Sequence, residues 1–488
     1  MHVGLRGTPR DRDDVVNPPP RLTQRAPRSD HRSVATHVLP GRGSLRAGTV
    51  VHRLAWVPVS LVLTLYLLVT SRWGSYLTVP GAPIYAGDIL VVLATVQATV
   101  GLRVRLATLS ALVRAPLALH LVVSLLVYAV LRLGAGLDFS LVALRDFAPY
   151  GYAVVALLAF LLPVREGRWR PIIYAALVAH LLWVAALPLF PGFPWQLPVL
   201  GSDATLFVAR PDFDTTVLGL GAAFAIRDLL RHLGPRRRAE TAALVIFAVG
   251  SGFGMVNMGT RAGLLAGLLA IVVIVVSCLV PKSSRGEGQG RSDRPRLRPV
   301  RVAALLVGCA IAAAVLAYTP TGSRLIDGIS DASSGAYGTV TVRKTVWDQV
   351  ADYVLRDAGR TAVGVGFGRN FIAESGSQLA LEGTVYKNVR SPHNYVLGTL
   401  ARLGVAGALM VSMVIGLGWW MGVSQLRGEA GPVGVLAALL ALALPVIALL
   451  GVVLESPFGA IPYFWALGQL AVLDSSPPYS ARRKTTPE

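Results

Sequence analysis

The residues with the clearest capacity for chemistry surround one histidine in the C-terminal half of the chain. His393 lies in the run Ser391-Pro392-His393-Asn394, directly before a long apolar stretch. Ser391 is a suitable N-cap and Pro392 suits the first helical position, so we expect His393 and Asn394 in the first turn of a helix. The positive end of the helix dipole attracts phosphate and disfavours protonation of a histidine there. Such a neutral imidazole could act as a general base beside a bound diphosphate, although a histidine that only caps the helix end fits the same spacing.

Two arginines far from His393 in the sequence are candidates for binding an anion. Arg261 lies in a turn between two apolar stretches, where a charge is costly unless it has a partner. Arg210 directly precedes another such stretch. The planar guanidinium group fits phosphate oxygens, so the two arginines together would suit a lipid diphosphate at headgroup depth. The alternative for Arg210 is an ion pair with Asp212 or Asp214, and lipid headgroups could satisfy either arginine.

The polar segment before His393 adds a third arginine and a glycine-rich turn. Arg343 lies in Val342–Leu355, whose apolar residues share one helical face, so we expect an amphipathic helix lying over the membrane helices. Arg343 could join the anion site or pair with a neighbouring aspartate. Gly364–Gly368 permits a tight loop but lacks the lysine of a phosphate-binding loop. We therefore expect a turn packed on the helices and not a nucleotide site.

The elements that must carry these residues are hydrophobic helices. Of the 488 residues, 53% are hydrophobic and 15% are charged, whereas roughly a quarter of residues are charged in soluble proteins. The apolar residues cluster in stretches of bilayer length, which predicts an all-α polytopic membrane protein. The formal net charge of +20 lies mainly in the N-terminal tail and in short loops, so it indicates membrane topology and not nucleic-acid binding. Cys278 and Cys309 both fall in predicted spans, so neither a disulfide framework nor a metal cluster is expected.

The apolar stretches predict about twelve membrane spans. They are Leu54–Thr70, Asp88–Leu102, Pro116–Leu131, Pro149–Pro163, Ile172–Phe190, Phe213–Ile226, Thr241–Asn257, Ala262–Val280, Val302–Tyr318, His393–Val423, Pro432–Val453 and Pro457–Leu473. Placing the N-terminus inside puts every short basic loop in the cytoplasm, which predicts an N-in, C-in topology. The chain then has five segments: a disordered basic cytoplasmic tail (1–53), spans one to nine (54–318), a large extracytoplasmic loop between spans nine and ten (319–392), spans ten to twelve (393–473) and a cytoplasmic tail (474–488).

Several of these segments resemble the O-antigen ligase and O-antigen polymerase superfamily. The run SPHNYVLGTLARLGVAGAL resembles its histidine-asparagine signature, and VRKTVWDQV followed by GVGFGRNF resembles the segment upstream of it. GTRAGLLAGLLA is similar to the family's Ser-Arg-Gly/Ala motif, with Thr260 in place of the usual Ser. Arg210 occupies the place of the family's other outer arginine. The resemblance spans roughly Arg210–Leu409, and the twelve-span topology extends it to most of the chain.

The resemblance implies a glycosyltransferase of cell-surface polysaccharide assembly in the bacterial plasma membrane. It would move a glycan, with inversion and without a metal or other cofactor, from an undecaprenyl-diphosphate carrier to an acceptor hydroxyl on a glycan, lipid or protein. On this resemblance His393 would activate the acceptor, while Arg261 and Arg210 would hold the diphosphate. Arg343 and Asn394 would help to bind substrate at the same extracytoplasmic site.

Two other functions remain open on the sequence alone. A multi-pass transporter of a small solute is the main alternative, but transporters tend to carry acidic residues within their spans, and we expect only Asp88 and Asp228 at span edges. A non-catalytic scaffold that uses the basic tail is the second. Among glycan transferases, polymerase, ligase and protein O-glycosyltransferase share one site chemistry, so the acceptor is not specified.

Overall fold

The computed structural model describes residues 58–75, 77, 85–102, 113, 115–164, 169–189, 209–231, 238–258, 260–279, 339–381, 390–428 and 430–475. These residues form α-helices joined by turns, and none of them forms a β-strand, which confirms the predicted all-α class for this part of the chain. In chain order the helices are α1 (Val59–Ser75), α2 (Ala86–Leu102), α3 (Leu117–Gly136), α4 (Leu141–Gly151), α5 (Val154–Leu161), α6 (Arg170–Ala186), α7 (Pro211–Arg231), α8 (Arg238–Asn257), α9 (Arg261–Leu279), α10 (Thr339–Leu355), α11 (Ala358–Val363), α12 (Phe371–Glu374), α13 (Ser377–Leu381), α14 (Tyr395–Arg427), α15 (Pro432–Ala448) and α16 (Pro457–Ser475).

The long helices have the length and composition of membrane spans. Six helical segments are long and apolar enough to cross a bilayer, namely Leu117–Gly136, Leu141–Leu161, Arg170–Leu189, Arg238–Asn257, Arg261–Leu279 and Tyr395–Arg427. Helices α1, α2 and α15 are shorter but also apolar, while α7 and α16 are long enough but more polar. The described part is therefore that of a multi-pass membrane protein. The predicted ninth span, Val302–Tyr318, lies outside the described residues, so the count of about twelve stays a prediction.

Helices α7 and α9 lie side by side with their N-termini together. A Cβ atom on Gly219 would lie only 2.3 Å from the Cα of Gly267, so small residues let the two backbones approach closely. Towards the N-termini, the Thr260 hydroxyl donates to the carbonyl of Pro211 over 3.1 Å. Both contacts pair residues in the same order along the two helices, which makes them parallel. The start of α9, where Arg261 lies, is thereby placed beside the start of α7.

Helix α14 is broken at Gly404, and the glycine-rich turn closes the break. Gly404 has φ 67° and ψ −168°, so the helix hydrogen bonds cannot continue across it. The amides of Val365 and Gly366 donate to the carbonyls of Ala401 (2.8 Å) and Arg402 (3.0 Å). Buried backbone carbonyls need such partners, particularly in a membrane protein. The prediction that Gly364–Gly368 packs on the helices is therefore confirmed.

The break divides α14 into a short half-helix, Tyr395–Leu403, and a longer half, Val405–Arg427. The longer half has the roughly 20 residues that a bilayer requires. The predicted amphipathic helix is α10, whose Val346, Val350 and Val354 are buried against the short half-helix, as predicted. The histidine turn therefore leads into the short half-helix and is separated by the Gly404 break from the half that is long enough to span a bilayer.

The fourth span begins earlier than the sequence predicted. Pro149 was expected at the helix start, but it lies inside α4, which begins at Leu141 with Ser140 accepting a hydrogen bond from the amide of Ala143 (3.2 Å). The polar residues Arg145 and Asp146 lowered the local hydropathy and hid this first part of the helix. Its consequence is that Asp146 is buried within a candidate span. The expectation that the spans hold acidic residues only at their edges is therefore wrong.

Contacts between the connections define two ends of the helix bundle. At one end, the side chain of Arg343 donates to the carbonyl of Leu450 (3.0 Å), and the amide of Gly368 donates to Asp146 (3.2 Å). We call this the site end; it comprises the α3–α4, α8–α9 and α15–α16 connections, the start of α7 and the described part of 339–394. At the other end Arg170 pairs with Asp228 at 2.8 Å. Which end faces the cytoplasm stays a prediction.

Candidate active site

The turn that contains His393 precedes α14 and is not part of it. Asn394 is the N-cap of α14, and its Oδ1 accepts a hydrogen bond from the amide of Leu397 over 3.0 Å. The prediction that Ser391 caps the helix and that His393 lies in its first turn is therefore wrong by three residues. The reason is that His393 has φ 56°, in the left-handed region, which a right-handed helix cannot contain. Because Oδ1 of Asn394 serves the cap, its predicted contact with substrate would have to use the amide nitrogen.

Side chains from two other segments hold this turn. The hydroxyl of Ser391 accepts from the amide of His393 (3.2 Å) and donates to Oε1 of Glu455 (2.6 Å) in the α15–α16 connection. The indole nitrogen of Trp347 in α10 donates to the carbonyl of Pro392 over 2.6 Å. A non-glycine residue with a left-handed backbone costs on the order of 1–3 kcal/mol and persists where its surroundings determine it. The turn is therefore built to present the His393 side chain from this backbone.

Two of the predicted arginines lie close enough to act electrostatically on His393. The pKa of His393 is lowered to about 4, first because the imidazole is largely buried, and then because Arg343 and Arg210 repel its protonated form. The three residues come from the turn before α14, from α10 and from the residue before α7. Arg343 and Arg210 thus lie near enough to His393 to disfavour its protonated form. Their binding of a diphosphate beside His393 stays a prediction.

Arg210 is held at the N-terminus of α7 by neighbouring acids. Its Nε lies 3.0 Å from Oδ1 of Asp212, and its backbone amide donates to Oδ2 of Asp214 over 2.7 Å. The ion pair that the sequence offered as an alternative is therefore present. The Arg210 side chain is still 27% exposed, so this pairing leaves it accessible to a second anion.

Arg261 is the first residue of α9, and its side chain is exposed at the site end. The residue before it, Thr260, bonds to Pro211 and lies 3.2 Å from the hydroxyl of Thr215, so the Arg261 turn is fixed against the helix that Arg210 precedes. The threonine supplies the hydroxyl that a serine would supply at this position. The convergence of the Arg261 side chain on His393 stays a prediction.

The part of the chain that contains most of these residues matches a known family. Residues 246–412, roughly a third of the chain, match the family model described as O-antigen ligase. This match supports membership of the O-antigen ligase superfamily. The matched segment includes Arg261, Arg343 and His393, whereas Arg210 lies before it. A comparison with curated proteins returned no match. Membership of this superfamily implies a membrane protein of glycan assembly with glycosyltransferase-like activity.

The structure adds a site residue that the sequence analysis did not select. Glu455 is half-buried, and its desolvation raises its pKa, while its hydrogen bond from Ser391 acts in the opposite direction. It connects the α15–α16 turn to the histidine turn. A single acidic residue between two apolar helices was the available signal, because a buried carboxyl group is expensive unless it has a function or a partner.

Proposed function

We propose that this O-antigen ligase superfamily member transfers a glycan from an undecaprenyl-diphosphate carrier to an acceptor hydroxyl. His393 is the general base, and Arg210, Arg343 and Arg261 bind the diphosphate. The observation that supports this most directly is that Arg343 and Arg210 lie near enough to His393 to act with its burial in lowering the imidazole pKa. Cationic groups suit a diphosphate, and an unprotonated imidazole suits deprotonation of a hydroxyl.

The proposed reaction is a single displacement. The acceptor oxygen forms a bond to the anomeric carbon of the glycan as its proton passes to His393, and the bond from that carbon to the diphosphate oxygen breaks. The lipid diphosphate leaves with the bonding electrons, and the arginines stabilise its charge. Attack opposite to the leaving group inverts the anomeric centre. The reaction as proposed needs no metal ion, since the guanidinium groups stabilise the leaving group.

The bound diphosphate also improves the base. An imidazole with a pKa of about 4 is a weak base in the free protein. Negative charge bound to Arg343 and Arg210 offsets their repulsion of the imidazolium, so the pKa of His393 rises towards its ordinary value of about 6.5. A base with a pKa closer to the operating pH is more effective. The donor would thus activate the residue that deprotonates the acceptor.

Transport is the competing interpretation, because broken helices occur in transporters. In α14, however, the carbonyls before the break accept hydrogen bonds from the chain itself: Ala401 from Val365, Arg402 from Gly366, and Leu403 from the Tyr128 hydroxyl (3.1 Å). These carbonyls therefore have protein partners where a transporter would use them for an ion. Transfer by protein in detergent, where no compartments exist, would distinguish the two functions.

Replacing His393 by alanine is expected to slow glycan transfer by roughly two to four orders of magnitude, because the general base is lost. Transfer is measured with detergent-solubilised protein, a labelled glycan on undecaprenyl diphosphate and membranes that contain the native acceptor. His120→Ala is the matched control, since His120 is an exposed residue of α3 whose Nδ1 lies 3.3 Å from the carbonyl oxygen of Pro116, just before the same helix. Normal transfer by the His393→Ala protein at wild-type abundance would refute the proposal.

The same variant identifies the acceptor when the surface glycan of a strain carrying it is separated on a gel. Single repeat units attached to the surface would indicate that polymerisation is lost. Full-length chains that remain on the carrier lipid would indicate that ligation is lost. Both results leave the role of His393 intact and differ only in the acceptor hydroxyl.

A further inference from the structure

One buried carboxylate at the site end has no part in the proposed reaction. Asp146 of α4 has only 5% of its side chain exposed, and three donors surround its Oδ2. Nη1 of Arg402 lies at 2.5 Å, Nη2 of Arg390 at 3.2 Å, and the amide of Gly368 donates over 3.2 Å. Buried ion pairs of this kind are retained only when their geometry is nearly complete, so the cluster is a well-defined junction of three segments.

Arg390 connects this junction to the histidine turn. It lies three residues before His393, and besides Asp146 its Nη2 donates to the carbonyls of Gly368 (2.9 Å) and Arg369 (3.2 Å). Its own carbonyl accepts from Nη2 of Arg402 over 3.4 Å. Both the side chain and the main chain of Arg390 are therefore fixed, and the turn starts from a defined backbone position.

Two groups of contacts support the His393 conformation. Within the turn, Ser391 bonds to Glu455 and the carbonyl of Pro392 accepts from Trp347. At the residue where the turn begins, the support is the contact between Arg390 and Asp146. A strained φ is maintained only while such contacts over-determine it. Removing the contact between Arg390 and Asp146 would release the backbone just before His393, whose side chain must be placed accurately.

We propose that Asp146 is a positioning residue for His393. Together with Arg402 it fixes Arg390, and through Arg390 it sets the backbone of the Ser391–His393 turn. The inference rests on the proposed function of His393 as the base. The carboxylate contacts the two arginines and the Gly368 amide, and not the reacting groups, so its effect is on geometry alone.

Asp146→Asn tests this role because the side chain keeps its size and loses its charge. We expect kcat for glycan transfer to fall roughly 10- to 100-fold, since displacement of a reacting group by about 1 Å has effects of this size. The KM for the lipid-linked donor should change less than about twofold, because Arg210 and Arg343 are not part of the junction. Asp146→Glu restores the charge and should recover part of the lost kcat.

Asp228→Asn is the matched control, because Asp228 is also a buried acid paired with an arginine, Arg170 at 2.8 Å, but at the other end of the bundle. Rates are expressed per molecule that elutes as a monodisperse species in detergent. If the Asp146→Asn protein does not fold, Arg390→Lys is tested in its place. This substitution keeps the positive charge but removes the planar guanidinium group that contacts Asp146. A lower kcat with unchanged donor KM in Arg390→Lys supports the proposal in that case.

Three outcomes separate the possibilities. If His393→Ala retains transfer, the proposed function fails, and the positioning role fails with it. If His393→Ala is inactive while Asp146→Asn (or Arg390→Lys, where it is used instead) keeps the wild-type kcat, the positioning role alone is refuted. If Asp146→Asn loses no more kcat than Asp228→Asn, the junction contributes only to folding, which also refutes it.

Discussion

At the scale of single residues, the backbone of His393 determines how the proposed base is presented. A first-turn histidine would have been fixed by helix geometry alone and exposed to the helix dipole. The observed residue instead has φ 56° and depends on Ser391, Trp347 and Asn394 for its position. Its low pKa comes from burial and from two arginines, and not from the first turn of a helix as the sequence suggested. The expected neutrality agrees with the structure, but its physical cause is different.

This cause predicts a pH dependence. Arg343→Gln removes a positive charge that disfavours the imidazolium, so the pKa of His393 should rise from about 4 towards 6.5. A higher pKa means that the base becomes protonated at a higher pH as the solution is acidified. The pH profile of kcat/KM reports the pKa values of the free protein, so its acidic limb should move to higher pH in this variant. The measurement is the initial rate of transfer at low donor concentration between about pH 4 and 8.

Arg369→Gln is the control for that profile. Arg369 also lies at the site end, but it forms an exposed pair with Glu374 at 2.6 Å and does not contribute to the pKa of His393. Its acidic limb should coincide with that of the wild type. An unshifted limb in Arg343→Gln would show that the titrating group is not His393, or that Arg343 does not act on it.

At the scale of elements, the two-part helix α14 joins the chemistry to the membrane-spanning bundle. Gly364 and Gly404 both have positive φ, and each lies against the other's segment: a Cβ on Gly404 would be 2.4 Å from the carbonyl oxygen of Ala362. A Cβ on Gly364 would be 2.3 Å from the carbonyl carbon of Arg402. Neither glycine can be replaced without separating the loop from the break in the helix. The two glycines together allow the loop to satisfy the carbonyls of the short half-helix.

Gly404→Ala is therefore expected to destabilise the protein by on the order of 1–3 kcal/mol, through its positive φ and its clash with Ala362. The melting temperature in detergent should fall, and glycan transfer should fall with it. Gly416→Ala, in the same helix, is the control, since a Cβ there meets no atom within 4 Å. Alanine stabilises a helix interior relative to glycine by roughly 0.5–1 kcal/mol, so this control should melt no lower than the wild type. Equal melting temperatures of the two variants would contradict the proposed close contact between the Gly364 loop and the break at Gly404.

At the scale of the whole molecule, the sequence predicted the positions of apolar helices, which the bilayer constrains, but not the features that depend on tertiary contacts. The helices α8 and α9 begin and end within a few residues of their predicted spans, because apolar length is a strong constraint. The cap of α14 was misplaced because Ser391 and Asn394 are both good N-caps, and only the surrounding contacts select between them. The pairing of Asp146 with Arg390 joins residues 244 positions apart. With 46 basic and 26 acidic residues in the chain, no local pattern specifies such a pair.

The sidedness of the molecule is the prediction on which the whole proposal depends, because the proposed transfer takes place at the extracytoplasmic face of the membrane. In a protein whose two natural cysteines are replaced by alanine, Leu379→Cys places a thiol on exposed α13 at the site end, where the native side chain is 72% exposed. Ala239→Cys places one at the exposed start of α8, at the other end. The N-in topology predicts that a membrane-impermeant maleimide labels Leu379→Cys in intact spheroplasts, and labels Ala239→Cys only after the membrane is opened. The reverse pattern would put His393 on the cytoplasmic side, where the basic loops were expected, and would exclude transfer at the outer surface.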